Sequence, residues 1–312
     1  MRKMGSATAH VLMCGDAGYF QHIAACLISL SETNPDTRFL VVVLATSSTA
    51  ADDAKLTGSF GAHRNVSVNV QAFDAAVLEG LPLGPGYYPP EIYARFWVEH
   101  YFPKDVERVL YLDGDMVIVG SVAPLLEMPL DGAVLAAVQI PGSLSPQRLG
   151  YDPSYGYFNS GVMVINLLRW RELQAERILI QAAHDLAPKL NDPDQDVLNY
   201  CFHDQVIRLD YIWNAISPFF RKISVLALSE SEMQRTVRDV RIVHFNGPGK
   251  PWHYLCFHPY AKTYLACVKK TAWSDFRPRD HTLINIFKKK IITLIGERGA
   301  AALSNMIRRK SA

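Results

Sequence analysis

Short runs of apolar, largely β-branched residues recur along the chain: HVLMCG (10–15), FLVVVLA (39–45), VSVNV (66–70), RVLYLD (108–113), AVLAAV (133–138), GVMVINL (161–167) and VRIVHF (240–245). Several are apolar at consecutive positions, which suits strands covered on both faces of a sheet. Helical periods fall between them. In YFQHIAACLISLSE, residues Ile23, Cys26, Leu27 and Leu30 form an i, i+3, i+4, i+7 stripe, and RWRELQAERILIQAAHDL predicts a second amphipathic helix. Strand and helix alternate over most of the chain, so the pattern predicts an α/β fold with a mostly parallel central sheet flanked by helices. Two Pro/Gly-rich stretches, LPLGPGYYPP (81–90) and IPGSLSPQRLGYDPSYG (140–156), read as loops. The second is long for a connection inside a compact domain, and such loops are often functional.

Composition narrows the class. The 312 residues are 49% hydrophobic and 20% charged, as in a soluble globular protein. Five cysteines (14, 26, 201, 256 and 267) include no CxxC pair, which argues against a disulfide framework or a structural zinc and for a reducing compartment. No signal-like apolar region precedes Tyr19, and no apolar run approaches the roughly 18 residues of a membrane span. The expected location is cytoplasmic. The net charge of +2 is unevenly spread: residues 281–312 hold Lys288, Lys289, Lys290, Arg298, Arg308, Arg309 and Lys310 against Glu297 alone. The shift after FRPRD (276–280) predicts a main domain of residues 1–280 and a basic amphipathic tail of residues 281–312. In that tail Ile286, Phe287, Ile291, Ile292, Leu294 and Ile295 mix with the basic residues. Such a segment suits an anionic membrane surface; a solvated helix and a nucleic-acid patch are the alternatives.

The chemistry centres on YLDGDMV, where Asp113 and Asp115 flank Gly114 at the end of an apolar run. A buried unpaired carboxylate is costly, so something must offset the pair. In extended chain, residues i and i+2 share one face about 6.5–7 Å apart. A turn at Gly114 would bring both carboxylates onto one hard cation, at the strand ends where open α/β sheets bind ligands. A solvated Asp-Gly turn is the plain alternative. The same letters fit the acidic D-x-D-x-[TV] pattern of haloacid-dehalogenase-type phosphatases, with Asp113 as nucleophile and Mg²⁺ as cation. That family usually places the motif on its first strand, whereas over a hundred residues precede it here. In VRIVHFNGPGKPWH a strand ends at His244, and a loop follows with Gly247, Gly249 and Lys250. A strand-end histidine can ligate a metal, and glycine amides with a lysine can hold a phosphate.

Six stretches together resemble glycosyltransferase family 8, in that family's order from about residue 10 to 253: VLMCGDAGY, YARF, RVLYLDGDMVIVGSVAPL, YFNSGVMVINLLRWRE, DQDVLN and HFNGPGKPWH. The resemblance implies a GT-A type nucleotide-diphospho-sugar transferase fold. It implies retaining transfer of a hexose from UDP-galactose or UDP-glucose to a saccharide acceptor, lipopolysaccharide or another glycolipid. Asp113, Asp115 and His244 would hold Mn²⁺ or Mg²⁺. Cys14, Gly15 and Asp16 would cradle the nucleotide, and Gly247 and Lys250 would close over the diphosphate. Arg95 would lie near the donor sugar and phosphates, with Asn159, Asp194 and Gln195 on the sugar being transferred. The expected mechanism is same-face attack, with Gln195 and Asp194 stabilising the cationic sugar. Family members of the lipopolysaccharide type also end in basic tails, which adds peripheral attachment to the inner face of the cytoplasmic membrane and no nucleic-acid partner.

Each residue also has a local reading. Arg95 in EIYARFWVEHYF would be unremarkable on a helix surface, and Asn159 could serve a strand edge. DPDQDVLN reads as a helix start, with Asp192 or Asp194 as N-cap and Pro193 in the first turn. Cys14 reads as a small buried residue. Acceptor choice is expected in the 140–156 loop.

Overall fold

The computed structural model describes residues 7–85, 88–221, 225–278 and 280–294. In chain order the first half runs β1 (Ala7–Gly15), α1 (Phe20–Thr33), β2 (Thr37–Ala45), α2 (Ala50–Gly58), β3 (Val66–Ala72), a 3₁₀ segment (Pro90–Tyr101), β4 (Arg108–Leu112), β5 (Met116–Ile118), α3 (Ala123–Glu127), β6 (Leu135–Gln139) and α4 (Ser145–Leu149). The second half runs β7 (Phe158–Asn166), α5 (Leu167–Glu172), α6 (Ala175–Asp185), α7 (Pro193–Phe202), β8 (Val206–Leu209), β9 (Ala215–Ile216), α8 (Glu230–Asp239), β10 (Ile242–His244) and α9 (Ala261–Val268).

Seven strands form the central sheet in the order β3-β2-β1-β4-β7-β6-β8. Six point one way and only β7 is reversed. The chain builds outward from β1 through β2 to β3, then crosses back to place β4 on the other side of β1. That reversal opens a crevice at the carboxyl ends of β1 and β4. Because β7 is antiparallel, its first residues, Phe158 to Gly161, lie at the same end. A second sheet, β5-β10-β9, pairs His244 with Met116, just after Asp115.

The consecutive apolar residues of the strands are explained by two cores, one on each face. In β1, Val11 and Met13 join α1 and the second sheet, whereas Leu12 joins Tyr93, Phe96 and Leu179 on the opposite face. Helix α1 is buried along nearly its whole length because the central sheet, β5 and α9 enclose it.

Several local expectations change. The single helix expected over RWRELQAERILIQAAHDL breaks at Gln174, which sits at φ +53°. The break lets Trp170 of α5 and Leu179 of α6 enter the same core. EIYARFWVEHYF is a 3₁₀ segment with a kink at Trp97, and Tyr93 through Val98 are all buried, so Arg95 is not on a helix surface. The 140–156 stretch carries α4 and a 3₁₀ turn (Pro153–Tyr155) rather than open loop. VRIVHF lies in the second sheet, not the central one.

Candidate active site

Strand β4 delivers Asp113 to the crevice, where its backbone N–H donates to the Gly161 carbonyl at 2.9 Å. Two residues later the Phe245 N–H donates to the Asp115 carbonyl at 2.9 Å, which ties the β4–β5 turn to the end of β10. The result is convergence. His244 Nε2 lies 3.3 Å from Asp115 Oδ1 and 3.7 Å from Asp113 Oδ2. One donor atom from each of the three residues falls within 4.8 Å of the others. Burial alone would raise the Asp115 carboxyl, but the facing His244 and Lys250 outweigh it and hold it well below the usual carboxylate range. Lys250 donates to Asp115 Oδ2 and, at 2.9 Å, to the Phe245 carbonyl.

Glycine makes this convergence possible. A Cβ on Gly161 would stand 2.5 Å from His244 Cε1 and 2.7 Å from Asp113 Oδ2. Gly114 is required for a different reason from the turn expected in sequence. Its Cβ would meet the Tyr19 ring at 2.9 Å and Ile23 at 3.0 Å, so glycine here allows α1 to close beneath the turn. Two carboxylates and an imidazole make an oxygen- and nitrogen-donor set that suits Mn²⁺ and, less selectively, Mg²⁺.

Arg95 links this metal-capable group to a second, more enclosed one. Its guanidinium is 3.2 Å from Asp113 Oδ1 and 3.0 Å from Asp194 Oδ2, and it donates to the Ser160 carbonyl and hydroxyl at 3.2 Å. It also lies over the Tyr111 ring, 4.3 Å from the centroid, while the Tyr111 hydroxyl donates to Asp113 Oδ1 at 2.8 Å. Burial pushes the Asp194 carboxyl up to about 6, against the lowering effect of Arg95.

Beyond Arg95 runs a directed chain of side-chain hydrogen bonds. The Ser160 N–H and Asn159 Nδ2 both donate to Gln195 Oε1, at 3.0 and 2.8 Å. Gln195 Nε2 donates to the Tyr157 hydroxyl at 3.0 Å, which donates to Asp196 Oδ1 at 2.6 Å. Asp196 is fully buried and also accepts from both Arg148 terminal nitrogens and from the Asn191 and Asp192 N–H groups. The expected helix start at Asp192 is present, with Pro193 first in α7, but the Asp192 side chain does not cap it. That carboxylate accepts from the Tyr88 hydroxyl at 2.8 Å instead.

The remaining expected residues line the rim. At the end of β1, Asp16 Oδ1 accepts from the Tyr19 N–H at 2.9 Å, and Gly15 lies against Tyr19 and Ile23. The Cys14 thiol is pushed up to about 12 by burial, so it is not a nucleophile at neutral pH. Gly247 adopts φ +80°, a left-handed conformation that favours glycine, and opens the loop that carries Lys250. The same loop is anchored by Trp252, which stacks on His22 at 3.6 Å between ring centroids. The sequence reading missed Ser160, Tyr157, Asp196 and Asn214. Asp196 was visible as the third letter of DQD, but nothing in the letters told its structural role from a catalytic one.

The doubly wound central sheet, with the acidic pair at its switch point, is consistent with a GT-A type fold, and the structural neighbours share that fold. Galactosyltransferase LgtC, in complex with donor and acceptor sugar analogs, superposes with a TM-score of 0.75 at 22% identity, covering 84% of this chain and 96% of that one. The glycosyltransferase GlyE of Streptococcus pneumoniae TIGR4 gives a TM-score of 0.64 at 19% identity, over 86% and 62% of the two chains. The model of the glycosyl transferase family 8 matches residues 10–256, and the chain belongs to that family. Among curated relatives, the lipopolysaccharide glucosyltransferase WaaO of Escherichia coli K12 is 27% identical over 72% of this chain and 67% of its own length. A lipopolysaccharide 1,2-glucosyltransferase of the same strain is 29% identical over 64% of this chain and 60% of its own. General stress protein A of Bacillus subtilis 168 is 24% identical over 85% and 94%. The chain is therefore a glycosyltransferase, and the phosphatase reading of Asp113 is set aside.

Proposed function

We propose that this enzyme transfers galactose or glucose, with retention, from a UDP-sugar to a saccharide acceptor on lipopolysaccharide or another glycolipid. The observation that carries the reading is the convergence of Asp113, Asp115 and His244 beside Lys250, in a family 8 chain whose relatives include lipopolysaccharide glucosyl- and galactosyltransferases. Asp113, Asp115 and His244 would hold a divalent cation, Mn²⁺ or Mg²⁺, which when bound neutralises charge on the departing diphosphate. Lys250 and the amides around Gly247 add fixed positive potential to the same oxygens. Cys14, Gly15 and Asp16 border the nucleotide.

Arg95 spans Asp113 and Asp194, so it fixes the distance between the diphosphate and the sugar. The sugar lies against Asn159, Asp194 and Gln195. Both acceptor positions of Gln195 Oε1 are occupied, by the Ser160 N–H and by Asn159, which disfavours bond formation from that oxygen to the anomeric carbon. Attack by the acceptor hydroxyl on the same face as the leaving group remains. The bond from the anomeric carbon to the phosphate oxygen breaks, the bond to the acceptor oxygen forms, and the departing phosphate oxygen takes the acceptor proton. The Asp194 carboxylate stabilises the positive charge that develops between the two events.

For the acceptor we assign the cleft of about 670 Å³ formed by Gln139, Ser143, Tyr157, Arg208 and Tyr211. It includes part of the 140–156 stretch and lies at the strand ends that carry the metal-capable group.

The described part of the tail is helical over residues 283–294. Lys289 secures it to the catalytic domain through the Tyr254 carbonyl and the rings of Tyr254 and Phe257. Leu283, Ile284, Phe287 and Leu294 are exposed beside Lys288 and Lys290, while Ile286, Ile291 and Ile292 are half-buried. Ile295, Glu297, Arg298 and the 308–310 basic cluster lie outside the described residues. The exposed apolar and basic side chains suit insertion into an anionic membrane surface, where each basic residue contributes about 1 kcal/mol. No helix among the described residues is long and apolar enough to cross a membrane.

Two measurements test this. Donor hydrolysis across a panel of nucleotide sugars with Mn²⁺ should select UDP-galactose or UDP-glucose, and Asp115→Ala should lower the rate by more than about 100-fold while the circular dichroism spectrum stays native. Near-normal activity of that variant would overturn the metal assignment. For the tail, anionic vesicles should sediment the full chain but not a chain ending at residue 280, and equal sedimentation would remove membrane association.

A further inference from the structure

We propose that Asn214 is a positioning residue that fixes the His244 imidazole in the tautomer whose bare Nε2 faces the cation; this rests on the metal reading above. The argument begins at a group whose direction is fixed. The Gly161 N–H is backbone and donates to the atom of Asn159 that faces it, at 3.1 Å, so that atom is Oδ1. The same Oδ1 accepts from Asn214 at 2.7 Å, so the Asn214 atom facing it is the Nδ2 amine. A second backbone donor gives the same sense. The Ser160 N–H fixes Gln195 Oε1 as an acceptor, and Asn159 Nδ2 also donates to it.

With both amides oriented, Asn214 Oδ1 is left 3.0 Å from His244 Nδ1. An amide oxygen only accepts, so Nδ1 carries a proton in the neutral ring as in the charged one, and in the neutral ring Nε2 is left with the lone pair. That lone pair faces Asp115 Oδ1 at 3.3 Å and Asp113 Oδ2 at 3.7 Å. In the neutral ring three electron-rich atoms therefore converge with no proton among them, the electrostatic condition for cation capture; the same three atoms hold a proton on Nε2 when no cation is bound and the ring is charged. The other neutral tautomer would place its Nε2 proton on the Asp115 carboxylate and close the group on itself.

Asn214 is 1% exposed, so water does not substitute for it at Nδ1. Its neighbours in sequence, Trp213 and Ala215, gave no hint of this role. It reaches His244 because β9 lies beside β10 in the second sheet. The orientation of the metal-facing imidazole is thus set by the same Asn159 and Gln195 amides that border the sugar.

The test uses the full chain. In metal-free wild-type protein at alkaline pH, ¹⁵N NMR of labelled histidine should show His244 protonated at Nδ1; protonation at Nε2 would overturn the proposal without any variant. Mn²⁺ titration followed by electron paramagnetic resonance of the free ion should show Asn214→Leu binding about 10- to 100-fold more weakly than wild type. Asn214→Asp keeps an acceptor for Nδ1–H and should stay within a few-fold of wild type; Asp and Leu are both close to Asn in size, so a purely packing role would predict no such difference between the two variants. Equal Mn²⁺ affinity for wild type and a folded Asn214→Leu would also overturn it. A wild-type chain that binds no Mn²⁺ would instead break the metal reading, and the NMR result would still decide the tautomer.

Discussion

Two neighbouring groups at the strand ends handle polar atoms in opposite ways. Around Asp113, Asp115 and His244, carboxylate oxygens and an imidazole nitrogen face one another with Lys250 as the nearby positive charge. Around Gln195 and Asp196, by contrast, donors and acceptors are matched in sequence from the Ser160 amide to Arg148. Arg95 belongs to both, with one terminal nitrogen on Asp113 and the other on Asp194. The first group is arranged to receive charge. The second is arranged to stay where it is. In the proposed reaction, a sugar held still while its diphosphate leaves has use for both.

The comparison breaks most sharply at Asp196. Asp196→Ala removes the acceptor of five donors from a fully buried position and leaves Arg148 without its carboxylate. The expected loss is about 3–5 kcal/mol of folding stability, read by urea denaturation. Because Asp196 touches no member of the metal-capable group, the folded fraction should keep its Mn²⁺ affinity within a few-fold. A stable variant with lost metal binding would show that the two groups are one.

The same contrast explains what could be read from the sequence. Most central strands were legible because they are apolar at consecutive positions, whereas the short β5 and β9 and the half-buried β8 were not singled out; the acidic pair was legible because charge at an apolar strand end demands a partner. His244 and Lys250 gained meaning only beside that pair. Asn214 and Tyr157 were not legible, because uncharged hydrogen-bonding residues carry no such demand in one dimension. Their roles come from register: β9 brings Asn214 to His244, and the start of β7 brings Tyr157 to Gln195. Gln174 was missed for a related reason, since an amphipathic period does not reveal that two helices must tilt to reach one core.

A gentler probe lies at the junction, in Asp194. Its carboxyl is raised to about 6, with burial as the largest cause and Arg95 opposing. For an acid raised on folding, the native state holds the proton more tightly than the unfolded chain does. The resulting stabilisation is complete below the unfolded value near 4 and is lost as pH rises through about 6. An asparagine side chain does not titrate, so Asp194→Asn removes this dependence. Compared with wild type, the variant should gain stability steadily between about pH 4 and pH 6, by no more than about 3 kcal/mol in all, then hold a constant difference. Arg95 keeps its charge throughout this range, so Asp194 is the partner of this pair that titrates. Urea titrations of both proteins across the window check the slope. A difference that does not vary with pH would mean that Asp194 is ionised throughout, and that Arg95 draws it into the charge-receiving group rather than the saturated one.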